Sequence, residues 1–386
     1  MSKAMDRRRF LELAAKGTLG AAALGALTAC GQQAAEETSK KAEELQQEVA
    51  KDKALPELNW EIATSWPPGL DTIFGGAQVF AERVTAMTGG KFQMKARAAG
   101  ELAPGLEVLN VVEAGSVPIG HTASYYYIGK SPVCAFGTTL PFGLTARQQN
   151  AWFYEGGGGK LLQEFYMERF GVIQFLAGNT GVQMGGWFNK EINSLKDLKG
   201  LKMRIPGLGG EVLKRAGGTP VNLPGGELYT SLQSGAIDAT EWVGPYNDLA
   251  FGLYKAAKYY YYPGWHEPGT TLEAIINQKA LAALPKDLQT IVLNACKVVN
   301  QDMLAEYTAR NNAALHTLIT KHKVELRQFP DDVLKKLRQL SDEVVAEIAA
   351  KDKFTSKVYR SFKQFRDEAM AWHRISEQAY LRAREM

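Results

Sequence analysis

Apolar and polar positions follow two different periods along this chain, and their alternation predicts an α/β fold. Residues 58–64 and 92–96 show the period of two that is typical of half-buried strands. Between them, residues 74–87 place apolar side chains three and four positions apart, which predicts a helix that ends at a glycine pair. A helix over 107–115 and a strand over 119–124 follow. This order of strands and helices predicts a lobe with a mainly parallel sheet.

The rest of the chain continues this alternation and ends in helices. Strands are predicted at 170–177, 183–189, 201–205 and 237–242, and helices at 210–216 and 226–234. Apolar residues three or four positions apart predict a further helix over 331–350. An amphipathic helix, with or without an interruption, is predicted over 354–384. Its apolar face is expected to pack on the body of the protein or to meet a second copy.

The first 30 residues are predicted to be an export signal. Arg7–Leu11 fits the twin-arginine pattern R-R-x-F-L, and an apolar run follows over 19–27. The run is shorter than the ~20 residues that a membrane-spanning helix needs, so it is interpreted as part of a signal peptide. Leu27–Cys30 matches the lipoprotein cleavage box and predicts acylation of Cys30, with a membrane anchor as the consequence. An ordinary cleaved signal with a chance cysteine is the alternative.

Composition changes after the signal. Residues 31–55 have no aromatic side chain and are rich in Glu, Lys, Gln and Ala, which predicts a spacer that buries little apolar surface. The body that follows has roughly 330 residues, more than one typical domain, so two lobes are expected. The predicted divisions are 56–180 plus 270–310 for lobe I, 181–269 plus 311–330 for lobe II, and 331–386 for a C-terminal helical segment.

Charge and motif content exclude several classes of protein. The net charge of +4 is small and no block of like charge is long, so nucleic acid is not an expected partner. Cys134 and Cys296 have apolar neighbours and are predicted to be buried thiols, with a disulfide left open. No C-x-x-C, phosphate loop, nucleophile elbow or zinc-protease motif occurs, and the five histidines lack metal-binding spacing. No enzyme activity is therefore predicted.

The candidate chemistry lies with an amide, an arginine and two carboxylates around a tryptophan: Gln183, Arg204, Glu241, Trp242 and Glu267. The planar fork of an arginine suits a bidentate clamp on a carboxylate. Two carboxylates ~4 Å apart repel each other by about 4 kcal/mol at an effective dielectric constant of ~20. A hard cation with oxygen ligands would remove that repulsion. Each residue taken alone also has a structural explanation, such as a surface ion pair or a solvated loop acid.

Three phrases resemble one receptor family. They are Arg204–Gly207 (R-I-P-G), Gly217–Pro224 (G-G-T-P-V-N-L-P) and Leu232–Trp242 (L-Q-S-G-A-I-D-A-T-E-W). With the signal-bearing N-terminus, they look like the extracytoplasmic solute receptors of tripartite ATP-independent periplasmic (TRAP) transporters, over roughly 56–385. The resemblance implies a two-lobed periplasmic-binding-protein-like fold, with a cleft between the lobes and a long C-terminal helix. It also implies a periplasmic location and membrane transporter subunits as partners.

The pair Glu241-Trp242 and the phrase Gly264–Glu267 resemble a subgroup that binds 2-oxo acids such as pyruvate, or lactate, through sodium or calcium. Sialic-acid and dicarboxylate receptors tend to have Asn where Trp242 stands. The resemblance implies Arg204 as the carboxylate clamp. It implies Gln183, Glu241, Glu267 and the backbone carbonyl of Trp242 as metal ligands.

The resemblance further implies dimerisation through the C-terminal helix. Among the tyrosines at 125–127, Tyr126 is the candidate whose hydroxyl reaches the ligand, beside Gln183 and Trp242. Lactate with calcium is the alternative ligand. An exported enzyme with Glu241 and Glu267 as an acid–base pair, and a receptor that feeds a signalling protein, are the alternative functions.

Overall fold

The structure is a computed structural model that describes residues 55–386. The predictions for the signal peptide, for Cys30 and for residues 31–54 of the spacer lie outside the described residues. Within the described part, no helix combines the length and the apolar character that crossing a membrane requires.

Eleven strands lie within residues 55–386. They are Leu58–Thr64 (β1), Phe92–Arg97 (β2), Ile119–Thr122 (β3), Val172–Asn179 (β4), Gly186–Phe188 (β5), Lys202–Arg204 (β6), Thr219–Val221 (β7), Ala239–Thr240 (β8), Tyr259–Tyr262 (β9), Thr271–Asn277 (β10) and Glu325–Gln328 (β11). The predicted strands are confirmed, but 183–189 and 237–242 shorten to β5 and β8. Gln183, Glu241 and Trp242 therefore lie in segments next to strands and not within them.

The helices alternate with these strands. They are Ile73–Met87 (α1), Val108–Glu113 (α2), Cys134–Thr138 (α3), Ala146–Tyr154 (α4), Gly158–Phe170 (α5), Gly207–Arg215 (α6), Leu228–Gln233 (α7), Pro245–Phe251 (α8), Gln278–Ala283 (α9), Lys286–Thr320 (α10), Asp331–Ala349 (α11), Lys353–Ile375 (α12) and Glu377–Arg384 (α13). The helix predicted over 354–384 is interrupted at Ser376, between α12 and α13. The 35-residue helix α10 was not predicted.

The strands form two mixed sheets. The first has the order β2-β1-β3-β10-β4, and the second has the order β11-β9-β5-β8-β6-β7. In the first sheet, β1 runs parallel to β2 and β3, as expected from the βαβαβ order. β10 lies between β3 and β4 and is antiparallel to both, so the expectation of a mainly parallel sheet is wrong there. The chain reaches β10 from the second sheet, so β10 enters the first sheet in the direction opposite to β3 and β4.

Helix α10 joins the two parts of the molecule. At ~1.5 Å per residue it is about 50 Å long, and it packs on α1 and β4 and also on α8. A Cβ at Gly76 of α1 would lie 2.1 Å from Met303 Cε, so the glycine permits this close packing. Buried polar groups join the same elements, since Asn247 of α8 donates to Thr72 Oγ1 at 2.8 Å and accepts from the Tyr307 hydroxyl of α10.

The terminal helices begin on the body of the protein and end in solvent. α11 packs on α6, and α12 begins against α4 and α5. Phe362 of α12 is buried and meets the ring of Trp152 edge to face at 5.2 Å. Further along, Trp372 and Ile375 are 67% and 73% exposed. Only the first part of this apolar face is covered by the chain itself. Packing on the body of the protein and contact with a second copy, the two predicted outcomes, therefore both still apply.

Candidate metal and carboxylate site

Two short parallel strands bring Arg204 and Glu241 together. Arg204 ends β6, whose register places it beside Thr240 of β8, and the Glu241 backbone N–H donates to the Arg204 carbonyl at 3.2 Å. Arg204 Nη1 donates to the Glu241 carbonyl at 3.1 Å and to the carboxylate Oε1 of the same residue. Both side chains are 1% exposed. Because an ion pair this deeply buried has lost its hydration, its geometry depends on these contacts.

The guanidinium of Arg204 is only partly free to hold a ligand. Its Nε donates to the Leu223 carbonyl at 3.1 Å, and Nη1 is used by Glu241. Nη2 is buried and has no hydrogen-bond partner in the described part of the chain. One edge of the guanidinium therefore serves the protein in this structure, and the bidentate clamp expected from the sequence stays a prediction. Nη2 is the nitrogen that a ligand carboxylate can reach.

Gln183 and Glu267 are held next to each other by backbone hydrogen bonds. The Gln183 N–H donates to the Glu267 carbonyl at 3.1 Å, and the Gly264 N–H donates to the Gln183 carbonyl at 3.0 Å. A Cβ at Gly264 would lie 2.2 Å from that carbonyl oxygen, so this approach requires glycine. One side-chain atom of each residue is bonded locally, with Gln183 Nε2 donating to Thr180 and Glu267 Oε2 accepting from Thr270 at 2.6 Å.

Three oxygens remain without partners. Gln183 Oε1, Glu241 Oε2 and Glu267 Oε1 are buried and accept no hydrogen bond from any group within residues 55–386. Leaving a buried acceptor unsatisfied costs about 1–3 kcal/mol each, and more when it is charged. Ligand atoms of Glu241, Glu267 and His266 lie within 4.8 Å of one another. This oxygen-rich set fits a hard cation such as sodium or calcium better than a soft metal.

His266 belongs to the same cluster, although the sequence analysis gave it no role. Its Nε2 lies 3.5 Å from Glu241 Oε2, and neither ring nitrogen has a hydrogen-bond partner among the described residues. Burial lowers the pKa of His266 to about 4, so the ring is neutral at pH 7. Histidine spacing along the chain could not reveal it, because its neighbours in the cluster are carboxylates. Its position next to Glu267 in sequence was the available signal.

Burial dominates the protonation of both carboxyl groups. It raises the pKa of Glu241 to about 7, although the Arg204 guanidinium acts in the opposite direction. It also raises the pKa of Glu267 to about 7, and the charge of Glu241 adds to that rise. One arginine therefore does not compensate two buried carboxylates. The site favours a bound proton or a bound cation.

Aromatic side chains from both sheets surround the charged groups. Trp242 is 4% exposed, and its ring centroid lies 5.4 Å from Arg204 Cζ. The indole N–H is buried and has no partner among the described residues. Burial raises the pKa values of Tyr125 and Tyr126, and the charges of Arg204 and the site carboxylates also act on them. The structure thus brings all the candidate residues to one site, together with Tyr125.

The tyrosines reach the site from the first sheet. Ser124–Tyr127 form a short 3-10 helix directly after β3. Glu273 of β10 accepts hydrogen bonds from the Ser124 N–H and Oγ, both at 2.6 Å, and from Gln174 at 2.7 Å. Glu273 is fully buried, so these bonds anchor the start of the segment. Sequence reasoning missed this residue, because a strand carboxylate carries no signal of the backbone it will bind.

Comparison with known proteins identifies the family. The family model described as "Bacterial extracellular solute-binding protein, family 7" matches residues 62–352. The chain belongs to this family. A monocarboxylate 2-oxoacid-binding periplasmic protein of Nostoc sp. is 51% identical to the receptor over 326 residues, which cover 84% of this chain and 89% of that protein.

Two solved structures have the same fold as the receptor. A TRAP transporter solute-binding protein from Bordetella bronchiseptica is 41% identical, has a TM-score of 0.83, and covers 85% of this chain and 97% of its own. It is a mixed-occupancy dimer with copurified calcium and picolinate in one active site and another site in the apo state. A TRAP periplasmic solute-binding protein from Pseudoalteromonas atlantica was solved with bound sodium and pyruvate. It is 44% identical and has a TM-score of 0.82, and the match covers 84% of this chain and 99% of the other.

These relationships confirm several predictions from the sequence. The receptor is a TRAP solute-binding protein with the two-lobed periplasmic-binding-protein fold, in which two mixed sheets are followed by a long C-terminal helix. It is a member of a substrate-binding family that acts outside the cytoplasm. Its relatives are receptors that bind small organic acids and work with membrane transporter subunits.

The raised pKa of Glu267 predicts a pH-dependent stability for the metal-free receptor. From its ordinary value of 4.5 to about 7, the folded protein holds a proton that the unfolded chain has released. The free energy of unfolding should therefore decrease as pH rises through this window, by about 3 kcal/mol for this group. Urea unfolding of chelator-treated protein at pH 5 and pH 7.5 measures the decrease.

The variant Glu267→Gln should reduce this pH dependence, because its amide does not titrate. Glu82→Gln, at an exposed position, is the matched control and should behave as the wild type. Since Glu241, Asp248 and Glu273 also have pKa values raised to about 7, the informative quantity is the difference between variants. Equal pH dependence in Glu267→Gln and the wild type would contradict the assignment.

Proposed function

We propose that the receptor binds a small 2-oxo monocarboxylate of the pyruvate type together with a sodium or calcium ion. It then delivers the acid to the membrane subunits of a TRAP transporter. The observation that carries this proposal is a set of unpartnered buried atoms on residues that contact one another: one oxygen each on Gln183, Glu241 and Glu267, and the guanidinium nitrogen Nη2 of Arg204. An oxygen-lined cation site beside an anion donor is what a metal-bound acid needs.

The metal would be held by Gln183 Oε1, Glu241 Oε2 and Glu267 Oε1, with the backbone carbonyl of Trp242 as a fourth ligand. Each of the three side chains has its other polar atom engaged with a neighbour, which fixes the direction of the unpartnered oxygen. Two carboxylates and one guanidinium carry a net charge of −1, and a bound monocarboxylate brings it to −2. Calcium would neutralise this charge, whereas sodium would leave −1.

The acid would be held by its carboxylate at Arg204 Nη2. Tyr126 would contribute its hydroxyl, and Gln183 and Trp242 would line the site. Pyruvate and picolinate, the ligands of the two solved relatives, share a second donor atom on the carbon next to the carboxylate. Such a pair of donors can chelate a cation, which favours 2-oxo acids over simple carboxylates. A 2-hydroxy acid such as lactate has the same spacing and remains the alternative ligand.

Binding would close the two lobes. Arg204 and Glu241 lie in or next to strands of the second sheet, Glu267 lies in the segment that runs from β9 of the second sheet to β10 of the first, and the tyrosines follow a strand of the first. A ligand that touches both sets favours the conformation in which they meet, because it gains all of its contacts only there. Closure would also remove water from the charged groups and strengthen their interactions.

Replacing the arginine tests the proposed clamp. Arg204→Lys keeps a positive charge near Glu241 but removes the planar fork, so pyruvate affinity should fall by about 100-fold, or ~3 kcal/mol. Arg215→Lys, at an exposed arginine paired with Glu347, is the matched control and should leave affinity unchanged. Calorimetry with pyruvate, 2-oxobutyrate and lactate, in sodium and in calcium buffers, measures the affinities.

Three outcomes of this experiment would count against the proposal. Absence of heat with all three acids in both buffers would remove the proposed ligand class. Wild-type affinity in Arg204→Lys would remove the arginine from the clamp. Binding that persists in chelator with neither sodium nor calcium present would remove the metal. Tighter binding of lactate than of pyruvate would select the alternative ligand and leave the site assignment standing.

We also propose export by the twin-arginine route and membrane anchoring through lipidated Cys30, on the motifs of Arg7–Leu11 and Leu27–Cys30. Cell fractionation tests both. Cys30→Ser should move the receptor from the membrane fraction to the soluble periplasm, whereas Cys296→Ala should leave it in the membrane fraction. Arg7→Lys with Arg8→Lys should keep it inside the cell. A membrane-bound Cys30→Ser protein would contradict lipidation, and normal export of the arginine variant would contradict the route.

We further propose that the exposed end of the C-terminal helices forms a homodimer. Trp372, Ile375 and Tyr380 are 67%, 73% and 64% exposed on α12 and α13. Burying large apolar side chains favours association. Trp372→Ser with Ile375→Ser should shift the receptor from dimer to monomer in light scattering, while Met87→Ser, at another exposed apolar residue, should not. A wild-type receptor that is monomeric at micromolar concentration would contradict the proposal.

A further inference from the structure

A second cavity lies away from the site of Arg204. It has a volume of about 440 Å³, opens to solvent, and is lined by residues of α4, α5, β4 and the N-terminal half of α10. None of the residues that form the metal and carboxylate site lines it. Its size lies within the range of ordinary small-molecule pockets, which is about 300–1,000 Å³.

The walls of this cavity combine apolar surface with positive charge. Phe153, Tyr154 and Phe175 contribute aromatic rings, and Lys160 and Lys297 contribute the charges. None of its lining residues, all of which are in the described part of the chain, is acidic. The two ammonium groups are therefore not paired with an acidic group within the cavity.

Tyr154 contributes to both the apolar surface and the charged surface of the cavity. Lys297 Nζ lies 5.1 Å from the centroid of its ring, a cation–π distance. The tyrosine hydroxyl is buried and has no hydrogen-bond partner among the described residues. A polar group left in this condition costs free energy until a ligand or water satisfies it. It is a buried polar group at this wall that the described residues leave without a partner.

We propose that this cavity binds an amphipathic aromatic anion, with a flat ring system and one carboxylate or sulfonate group. The ring would pack on Phe153 and Phe175, and the anionic group would lie between Lys160 and Lys297. A free inorganic anion would gain nothing from the aromatic walls, and a neutral aromatic would gain nothing from the lysines. The cavity offers no cluster of carboxylates or histidines for a metal ion.

Naphthalene-2-sulfonate is a suitable probe because it has two rings, one permanent negative charge and no 2-oxo group. Calorimetric titration of the receptor should show saturable binding. Lys160→Met with Lys297→Met keeps the apolar stems and removes both charges, so affinity should fall by about tenfold or more. Lys95→Met with Lys279→Met removes the same charge from exposed positions outside the cavity and should change affinity by less than about twofold.

A second variant tests the cavity itself. Leu293→Trp places a large ring in the lining and should abolish probe binding, while the thermal midpoint and circular dichroism spectrum verify folding. Saturating pyruvate with calcium should leave the probe affinity unchanged, since the two sites share no residue.

The proposal is overturned if the probe does not bind, if both lysine pairs have equal effects, or if a folded Leu293→Trp protein binds as the wild type does. Displacement of the probe by pyruvate and calcium would also overturn it, because the probe would then occupy the site of Arg204.

Discussion

The excess of buried negative charge over buried positive charge is the constraint on which the binding site depends. Glu241 and Glu267 are almost fully buried, and one guanidinium faces them. Taking a carboxylate out of water costs several kcal/mol, and the single Arg204 contact repays this only in part, as the raised pKa values of both acids indicate. The fold therefore maintains a site that is incomplete by one cation. It also leaves three oxygens and one guanidinium nitrogen unbonded at the same place.

Such a site has to be held by parts of the structure that do not depend on its occupant. The parallel pair β6 and β8 places Arg204 beside Glu241 through backbone bonds, and the Arg204 side chain adds its own bonds to Glu241. The close backbone approach at Gly264 fixes Gln183 against the segment of Glu267. On the opposite side, Glu273 anchors the start of the tyrosine segment in the first sheet. The groups of the site are thus preorganised by contacts within the protein, and the occupant has only to bring the two lobes together.

The sequence predicted the features that depend on local pattern and missed those that depend on tertiary contacts. Periods of two and 3.6 found β1, α1 and β2, because one face of each is buried along its whole length. Helix α10 was missed although its buried residues recur three or four positions apart, because apolar residues such as Val298 and Ile319 also lie on its exposed face and obscure the period. The direction of β10 cannot be read from its own residues. At the site, the resemblance to the receptor family indicated the arginine and both acids, and charge balance indicated a cation between them. The partial use of the Arg204 fork and the place of His266 depend on the folded arrangement.

Charge counting also requires that acid and cation bind cooperatively. With both carboxylates ionised the site carries −1, so a monocarboxylate that enters alone raises the charge to −2 in a region from which water is excluded. A cation that enters first lowers this cost, and by linkage a bound acid increases the affinity for the cation by the same factor. A proton on Glu241 or Glu267 is the competing route to neutrality, and their pKa values near 7 make it effective in mildly acidic medium. Because the proton occupies the oxygen that the metal needs, uptake of the acid is expected to depend on the balance between cation and proton outside the cell membrane.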